Sequence, residues 1–240
     1  MKGIILAGGA GTRLRPLTLV TSKQLLPIYD KPMVFYPLET LLKAGIREVL
    51  IIVAPERAGD FLHVLGSGKE FGAKFTYEIQ DKPNGLAEAF IIGQDFIDDD
   101  NVTLILGDNI FLGRDDETND AIRGFERGGR VFAKEVPDPE RFGVVTFDDQ
   151  QRVVNIEEKP KNPQSNYALT GLYVFDNQVV DIAAGLKPSP RGELEITDIH
   201  KAYLERGQLD VRMYSGDWLD TGTFDSLLAA NVAVAKRKTS

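Results

Sequence analysis

Short apolar runs alternate with stretches of helical periodicity along this chain, and that alternation sets the fold class. Gly3-Ile4-Ile5-Leu6-Ala7, Glu48 to Val53 and Val102 to Leu106 are continuous apolar runs, the pattern of strands buried on both faces. Between them, residues 32–44 read as a helix, with Pro32 near the first turn, Val34, Leu38, Leu41 and Leu42 on one face, and Gly45 as the stop. Phe61, Leu62 and Leu65 mark a short helix that stops at Gly66. Ala87, Phe90 and Ile91 mark another after the Pro83-Asn84-Gly85 turn. This β-α-β-α-β order predicts an α/β fold with a mostly parallel sheet between helices. The later runs alternate instead: Phe142 to Phe147, Val153 to Ile156, Leu172 to Phe175 and Val211 to Tyr214. They predict antiparallel additions and hence a mixed sheet. Helices are expected at about 177–186, 195–206 and 223–236, the last with Phe224, Leu228, Val232 and Ala235 on one stripe. The acidic, apolar-poor segment 113–120 reads as a surface loop, and the tail 236–240 as frayed.

Composition narrows the chemistry. The chain has 240 residues, 42% hydrophobic and 27% charged, near globular averages, with no linker, repeat or low-complexity tract. Zero cysteines exclude disulfides, Cys-ligated zinc, iron–sulfur clusters and thiol nucleophiles, and two histidines exclude a His-rich metal site. Ile4 to Ala7 is too short for a signal-peptide core, and no run approaches the ~18 apolar residues of a membrane span. A soluble cytoplasmic protein is the expectation. The net charge of −8 disfavours a general nucleic-acid binder. Yet residues 1–31 hold five basic side chains against one acid, and residues 95–120 hold nine acids against one base. A cationic patch on an acidic chain suggests a local anion site.

That patch contains the strongest motif. Leu6-Ala7-Gly8-Gly9-Ala10-Gly11-Thr12-Arg13-Leu14 opens a buried strand into a glycine-rich turn followed by an arginine. Glycines let backbone N–H groups approach phosphate oxygens, and Arg13 adds a cationic fork. A Walker A loop would need Lys-Ser/Thr where Thr12-Arg13 stand, and a dinucleotide fingerprint would need glycine at Leu14. A tight structural turn explains the glycines but not Arg13, Arg15 and Lys23 gathered around them. Asp108 follows an apolar strand at the ligand edge of such a sheet, where a carboxylate can hold Mg²⁺ or cap the next turn. Asp220 in Trp218-Leu219-Asp220-Thr221-Gly222 poses the same choice, ligand or helix cap. Glu157-Glu158-Lys159-Pro160 ends a strand and can offer Glu158 to sugar hydroxyls and Lys159 to a second phosphate. His63 and His200 have no plausible catalytic partner and read as structural.

Together these segments resemble the glucose-1-phosphate thymidylyltransferases of the sugar-phosphate nucleotidyltransferase superfamily, over nearly all of the chain. Gly8 to Pro16 looks like the superfamily signature. More specific to the thymidylyl branch are Ser22 to Met33, Pro83 to Phe90, Leu106-Gly107-Asp108-Asn109 and Ser189 to Asp198. The resemblance implies a three-layer, Rossmann-like mixed sheet in a single domain over 1–240. Its nucleotide-binding part would be about 1–130 and its sugar-phosphate-binding part about 131–240. It implies the reaction of dTTP with glucose 1-phosphate to give dTDP-glucose and pyrophosphate, with Mg²⁺ on Asp108 and Asp220, in a homo-oligomer. Gly8, Gly9, Gly11, Thr12 and Arg13 would meet the triphosphate with Lys23, and Gln80, Pro83, Gly85 and Leu86 would surround the base. Asn109, Gly143, Glu158, Gly171, Tyr173, Arg191 and Trp218 would line the sugar pocket, with Lys159 on the sugar phosphate. Arg13, Lys23 and Lys159 are the catalytic cations of this reading.

Two departures from the family pattern stand out. Phe142 occupies a position that is Tyr in many members, and Leu112 replaces a frequent aromatic ahead of a loop that looks shortened. Many members also continue through C-terminal helices that help form an effector site, so end-product inhibition here is expected to be absent or competitive. The nearest alternative is the same chemistry with UTP, because Gln80 can pair with thymine or uracil, or flip for cytosine unless its neighbours hold it. A non-catalytic sugar-nucleotide sensor is a second class; the intact Arg13, Lys23, Asp108, Lys159 and Asp220 argue against it.

Overall fold

The computed structural model describes residues 1–239. From the N-terminus the chain forms β1 (Lys2–Ala7), the small hairpin β2 (Pro27–Ile28) and β3 (Lys31–Pro32), α1 (Phe35–Lys43) and β4 (Glu48–Val53). There follow α2 (Ala58–Leu65), β5 (Lys74–Ile79), α3 (Glu88–Ile92), α4 (Gln94–Ile97), β6 (Val102–Leu106) and β7 (Asn109–Leu112). The middle of the chain gives α5 (Asp115–Arg123), β8 (Gly129–Glu135), β9 (Gly143–Phe147), β10 (Val153–Glu158) and β11 (Tyr167–Phe175). The last elements are α6 (Val179–Ala184), α7 (Ile196–Glu205), β12 (Leu209–Met213), β13 (Asp217–Asp220) and α8 (Phe224–Thr239).

Nine strands make one mixed sheet in the order β10-β9-β11-β6-β1-β4-β5, with β8 pairing β11 and β12. Traced through the pairings, only β10 and β11 run against the other seven. The sheet is the mostly parallel one that the apolar runs require, because both faces of its centre are buried. In β1, Ile4 and Leu6 pack with α3, α6 and α7, while Ile5 and Ala7 pack with α1, α2 and α5. Three layers result. A separate apolar cluster of Leu14, Ile28, Met33, Tyr36 and Ile110 is closed by Ala230 and Val234 of α8. Among the described residues no helix is long and apolar enough to cross a membrane.

Several local expectations are corrected. The first helix begins at Phe35, not at 32, because Lys31–Pro32 pairs with Pro27–Ile28 across a turn in which Tyr29 has φ 59°. Segment 113–120 is not a loop: it is mostly α5, whose acids Asp115, Asp116 and Glu117 fill the first turn and complement the helix dipole. It buries Thr118, Asn119 and Ile122, so no apolar stripe announces it. The strand expected to end at Ile156 continues to Glu158, which pairs with Gly143. The tail is helical to Thr239, and Ser240 lies outside the described residues. The stripe Phe224, Leu228 and Val232 faces outward, at 47%, 66% and 45% exposure.

Candidate active site

The carboxyl edge of the parallel strands carries the site. β1 delivers Gly8 and Gly9 there, and the chain then makes three 3-10 turns, Thr12–Leu14, Leu17–Leu19 and Lys23–Leu25. The first turn anchors through Leu14, fully buried. β5 delivers Gln80, whose side chain lies against Gly8. The Pro83-Asn84-Gly85 turn is strapped to the segment before α7: Leu194 N–H donates to the Asn84 carbonyl (2.7 Å) and Ala87 N–H to the Leu194 carbonyl (3.2 Å). Gln80 Nε2 donates to Glu88 Oε2 (2.8 Å) and to the Gly85 carbonyl (3.4 Å), which fixes the amide and leaves its oxygen as an acceptor. Gly9, Lys23, Gln80, Pro83, Gly85 and Leu86 line a cavity of about 210 Å³, together with Gln24.

Asp108 stands at the mouth of β6, in the wall of this cavity and of a second one of about 320 Å³; Leu86, Leu106 and Glu193 are shared in the same way. Lys23, only 9% exposed, donates to Asp108 Oδ2. Burial pushes the Asp108 carboxyl up, but the charge and hydrogen bond of Lys23 outweigh it and hold it below the usual range. Asp220, at the end of β13, goes the other way: burial and then the charge of Asp108 raise it, against Lys23, Arg141 and Arg13. Arg141 donates to Asp220 Oδ2 at 3.1 Å. The Asp108 carbonyl accepts from the Thr221 hydroxyl (2.8 Å), which ties β6 to the segment after β13. The Arg13 guanidinium and the Asp220 carboxylate both close over Gly222, where any side chain would strike Arg13.

The second cavity is built on β9, β10, β11 and α7. It is lined by Asn109, Gly143, Glu158, Lys159, Gly171, Tyr173, Arg191 and Trp218, as well as Arg13 and Asp220. Asn109 is its keystone: Nδ2 donates to Asp108 Oδ1 (3.0 Å), while Oδ1 accepts from Gly171 N–H (3.1 Å) and Trp218 Nε1 (2.6 Å). A Cβ on residue 171 would come within 2.5 Å of that Asn109 oxygen, so only glycine fits. Arg191 bonds Glu195 Oε2 at 2.7 Å and reaches Glu158 Oε1 at 3.4 Å; Lys159 Nζ approaches the same Glu158 oxygen at 3.4 Å. Phe142 packs on Trp218 with ring centroids 4.9 Å apart.

The structure thus brings together nearly all of the residues singled out from sequence. Arg13 lines the second cavity, not the one that holds Gln80. Gly11 and Thr12 sit in the turn behind it and line neither. Sequence reading passed over Arg141, Glu195 and Thr197. It also took His200 as structural, and His200 is indeed fully buried, stacked with Phe175 and tilted against Tyr173. Yet it also borders the second cavity, neither of its ring nitrogens has a partner, and burial pushes its pKa down to about 3.

Comparison with known proteins agrees with this geometry. The Nucleotidyl transferase family model matches residues 2–237. The glucose-1-phosphate thymidylyltransferase of Neisseria meningitidis serogroup A is 55% identical over 230 residues, covering 95% of this chain and 80% of its own. That of Mycolicibacterium smegmatis is 55% identical over 235 residues, covering 96% and 81%. A crystal structure of a Bacillus anthracis protein, described as a glucose-1-phosphate thymidylyltransferase in complex with sucrose, superposes with a TM-score of 0.91 at 46% identity, covering 97% of this chain and 94% of that one. A UDP-glucose pyrophosphorylase at 24% identity and TM-score 0.86 shares the fold. With that degree of likeness over almost its whole length, the chain belongs to the nucleotidyl transferase family, on its glucose-1-phosphate thymidylyltransferase branch.

Proposed function

We propose that this chain transfers the thymidylyl group of dTTP to glucose 1-phosphate, forming dTDP-glucose and releasing pyrophosphate. The observation that carries the reading is the junction of two cavities at Asp108, one ending in an amide acceptor and the other in a polar, carboxylate-lined pocket. Gln80 supports a thymine or uracil base: Glu88 and Gly85 engage its Nε2, so its oxygen accepts from the N3–H that these bases share and cytosine lacks. The polar rim of Glu158, Arg191 and Glu193 suits sugar hydroxyls. The part up to about residue 130 holds the nucleotide and the remainder the sugar phosphate, although Arg13 and Asn109 of the first part line the second cavity and Glu193 of the second part lines both.

The nucleophile is a phosphate oxygen of glucose 1-phosphate, whose second pKa near ~6 leaves it largely dianionic at neutral pH. No side chain needs to remove a proton. The obstacle is repulsion between two polyanions, and the chain answers it with position and charge. Lys23 and Arg13 hold the triphosphate, Lys159 holds the sugar phosphate, and the oxygen attacks the α-phosphorus in line with departing pyrophosphate. Asp108 and Asp220 suit a divalent cation, which we assign as Mg²⁺: both are hard oxygen donors, and the charge of Asp108 raises Asp220, a conflict that a dication relieves. When bound it would neutralise phosphate charge.

The test is pyrophosphate release by purified protein with Mg²⁺ and glucose 1-phosphate, comparing dTTP, UTP, CTP and ATP. Turnover with dTTP, and none with CTP or ATP, is expected. Preference for UTP would move the chain to uridylyl transfer, and no release with any nucleotide across several sugar phosphates would leave a binding protein.

A further inference from the structure

The second cavity is bordered by a histidine that the proposed reaction leaves without a role. His200 lies on α7 one turn beyond Thr197, so the two share a face of the helix, and both border the cavity. Both are buried, His200 completely and Thr197 to 1% exposure. Among the described residues nothing hydrogen-bonds to the Thr197 hydroxyl or to either His200 ring nitrogen. Phe175 stacks on the imidazole with centroids 5.9 Å apart, and Tyr173 tilts against it at 5.2 Å. These rings hold the plane of the imidazole but engage neither nitrogen. An apolar side chain would fill the same space without the cost of an unpaired polar group. Two such groups on one helix face, at the wall of a ligand cavity, point to a partner that arrives with the ligand.

We propose that His200 is a specificity-determining residue of the sugar pocket, forming a hydrogen bond with one hydroxyl of the bound sugar. The inference rests on the sugar-phosphate reading of the second cavity. Burial keeps the ring uncharged at neutral pH, its pKa pushed down to about 3, so it carries one N–H and one bare nitrogen. A hydroxyl both donates and accepts, and therefore pairs with whichever nitrogen faces it. A phosphate oxygen would find no positive charge there; Lys159 supplies that elsewhere in the cavity. The same helix face also meets the carboxylate that suits sugar hydroxyls. A Cβ on Gly143 would lie 2.9 Å from the Thr197 methyl and 3.5 Å from Glu158 Oε2, so Thr197 and Glu158 close on one point of β9. Glu158, Thr197 and His200 thus give the pocket a hydroxyl-binding side.

The experiment compares the parent with His200→Phe, His200→Met and His200→Asn, by pyrophosphate release and by calorimetric binding of the sugar phosphate. The Phe and Met variants remove both nitrogens. They should raise KM for glucose 1-phosphate about 3- to 10-fold, the value of one neutral hydrogen bond, and change kcat and the KM for dTTP far less. His200→Asn returns a donor and an acceptor and should recover most of the loss. The 2-, 3-, 4- and 6-deoxy analogues of glucose 1-phosphate identify the partner. One of them should cost the parent the same factor and cost the Phe and Met variants nothing further, the mark of a shared contact. Deoxy losses that are equal in the parent and both apolar variants overturn the proposal. So does a KM for glucose 1-phosphate indifferent to both apolar variants, which would leave the nitrogens to the fold or to a resident water. A parent that binds glucose 1-phosphate without releasing pyrophosphate overturns the proposed reaction, and the binding comparison still decides on His200. A parent that binds no sugar phosphate overturns both.

Discussion

Asp108 and Lys23 form an ion pair in the cleft wall, with side chains 15% and 10% exposed, and each fixes the state of the other. Asp108→Asn should lower turnover by roughly 10²–10³, the cost of losing one preorganised charge at a reacting centre. It also leaves a nearly buried lysine without its counter-charge, which costs about 3–5 kcal/mol in comparable pairs. Lys23→Met added to Asp108→Asn should therefore restore much of the stability and none of the turnover. Urea titration and pyrophosphate release on the three variants separate these effects, and equal stability of the single and double variants would show that the pair contributes little. Both residues were legible in sequence, Asp108 because it follows an apolar strand at the ligand edge and Lys23 because it belongs to the N-terminal cationic patch. Arg141 was not. Its partner, Asp220, lies 79 residues away and meets it only through the fold.

At the scale of elements, β10 ends by handing Lys159 to the site in a left-handed backbone conformation, φ 43°. Its N–H donates to the Phe142 carbonyl at 3.0 Å, which pins the turn. A non-glycine residue there costs about 1–2 kcal/mol. Lys159→Ala should weaken glucose 1-phosphate by about 10–150-fold and dTTP far less, the value of one charge-assisted contact. Lys159→Gly should lose the same affinity yet be about 1 kcal/mol more stable than the alanine variant. Calorimetric titration of each ligand and thermal unfolding give both readings; an equal loss for dTTP would place Lys159 on the nucleotide. The elements that sequence made plain, β1, β4 and β6, are buried on both faces and so are written as unbroken apolar runs. Those it hid lack such a code. α5 forms from acids suited to its first turn, β7 and β13 are four residues each, and β8 mixes charged and apolar residues because Arg130 finds Asp210 on β12. In α8 the stripe was legible, but two apolar faces competed, and the cluster that chose Ala230 and Val234 comes from residues 14 to 36 and from Ile110.

For the whole molecule, His200 ties stability to pH. Its pKa is about 3 in the folded chain and near ~6.5 when unfolded, so between those values the unfolded chain binds a proton that the folded one refuses. Above about pH 6.5 the folded state keeps its full stability. Below it, stability should fall by up to about 1.4 kcal/mol per pH unit from this side chain. Between about pH 5 and 6.5 most carboxylates stay ionised, which isolates the effect. Urea midpoints across that window should slope for the parent and flatten for His200→Phe; the same slope in both would assign acid sensitivity elsewhere. The sheet itself sets a different kind of limit. Leu172 lies opposite Ile105, and Gly171 is held by Asn109 just past β6, so the cavity built on β9, β10 and β11 is dimensioned by one strand pairing. That pairing is a ruler with divisions of about 3.3 Å, and slipping it by one division would turn every side chain to the wrong face. Rim residues such as Arg191 and Glu193 can change without touching that pairing. The depth of the pocket stays fixed, and with it the size of the group that the pocket can hold.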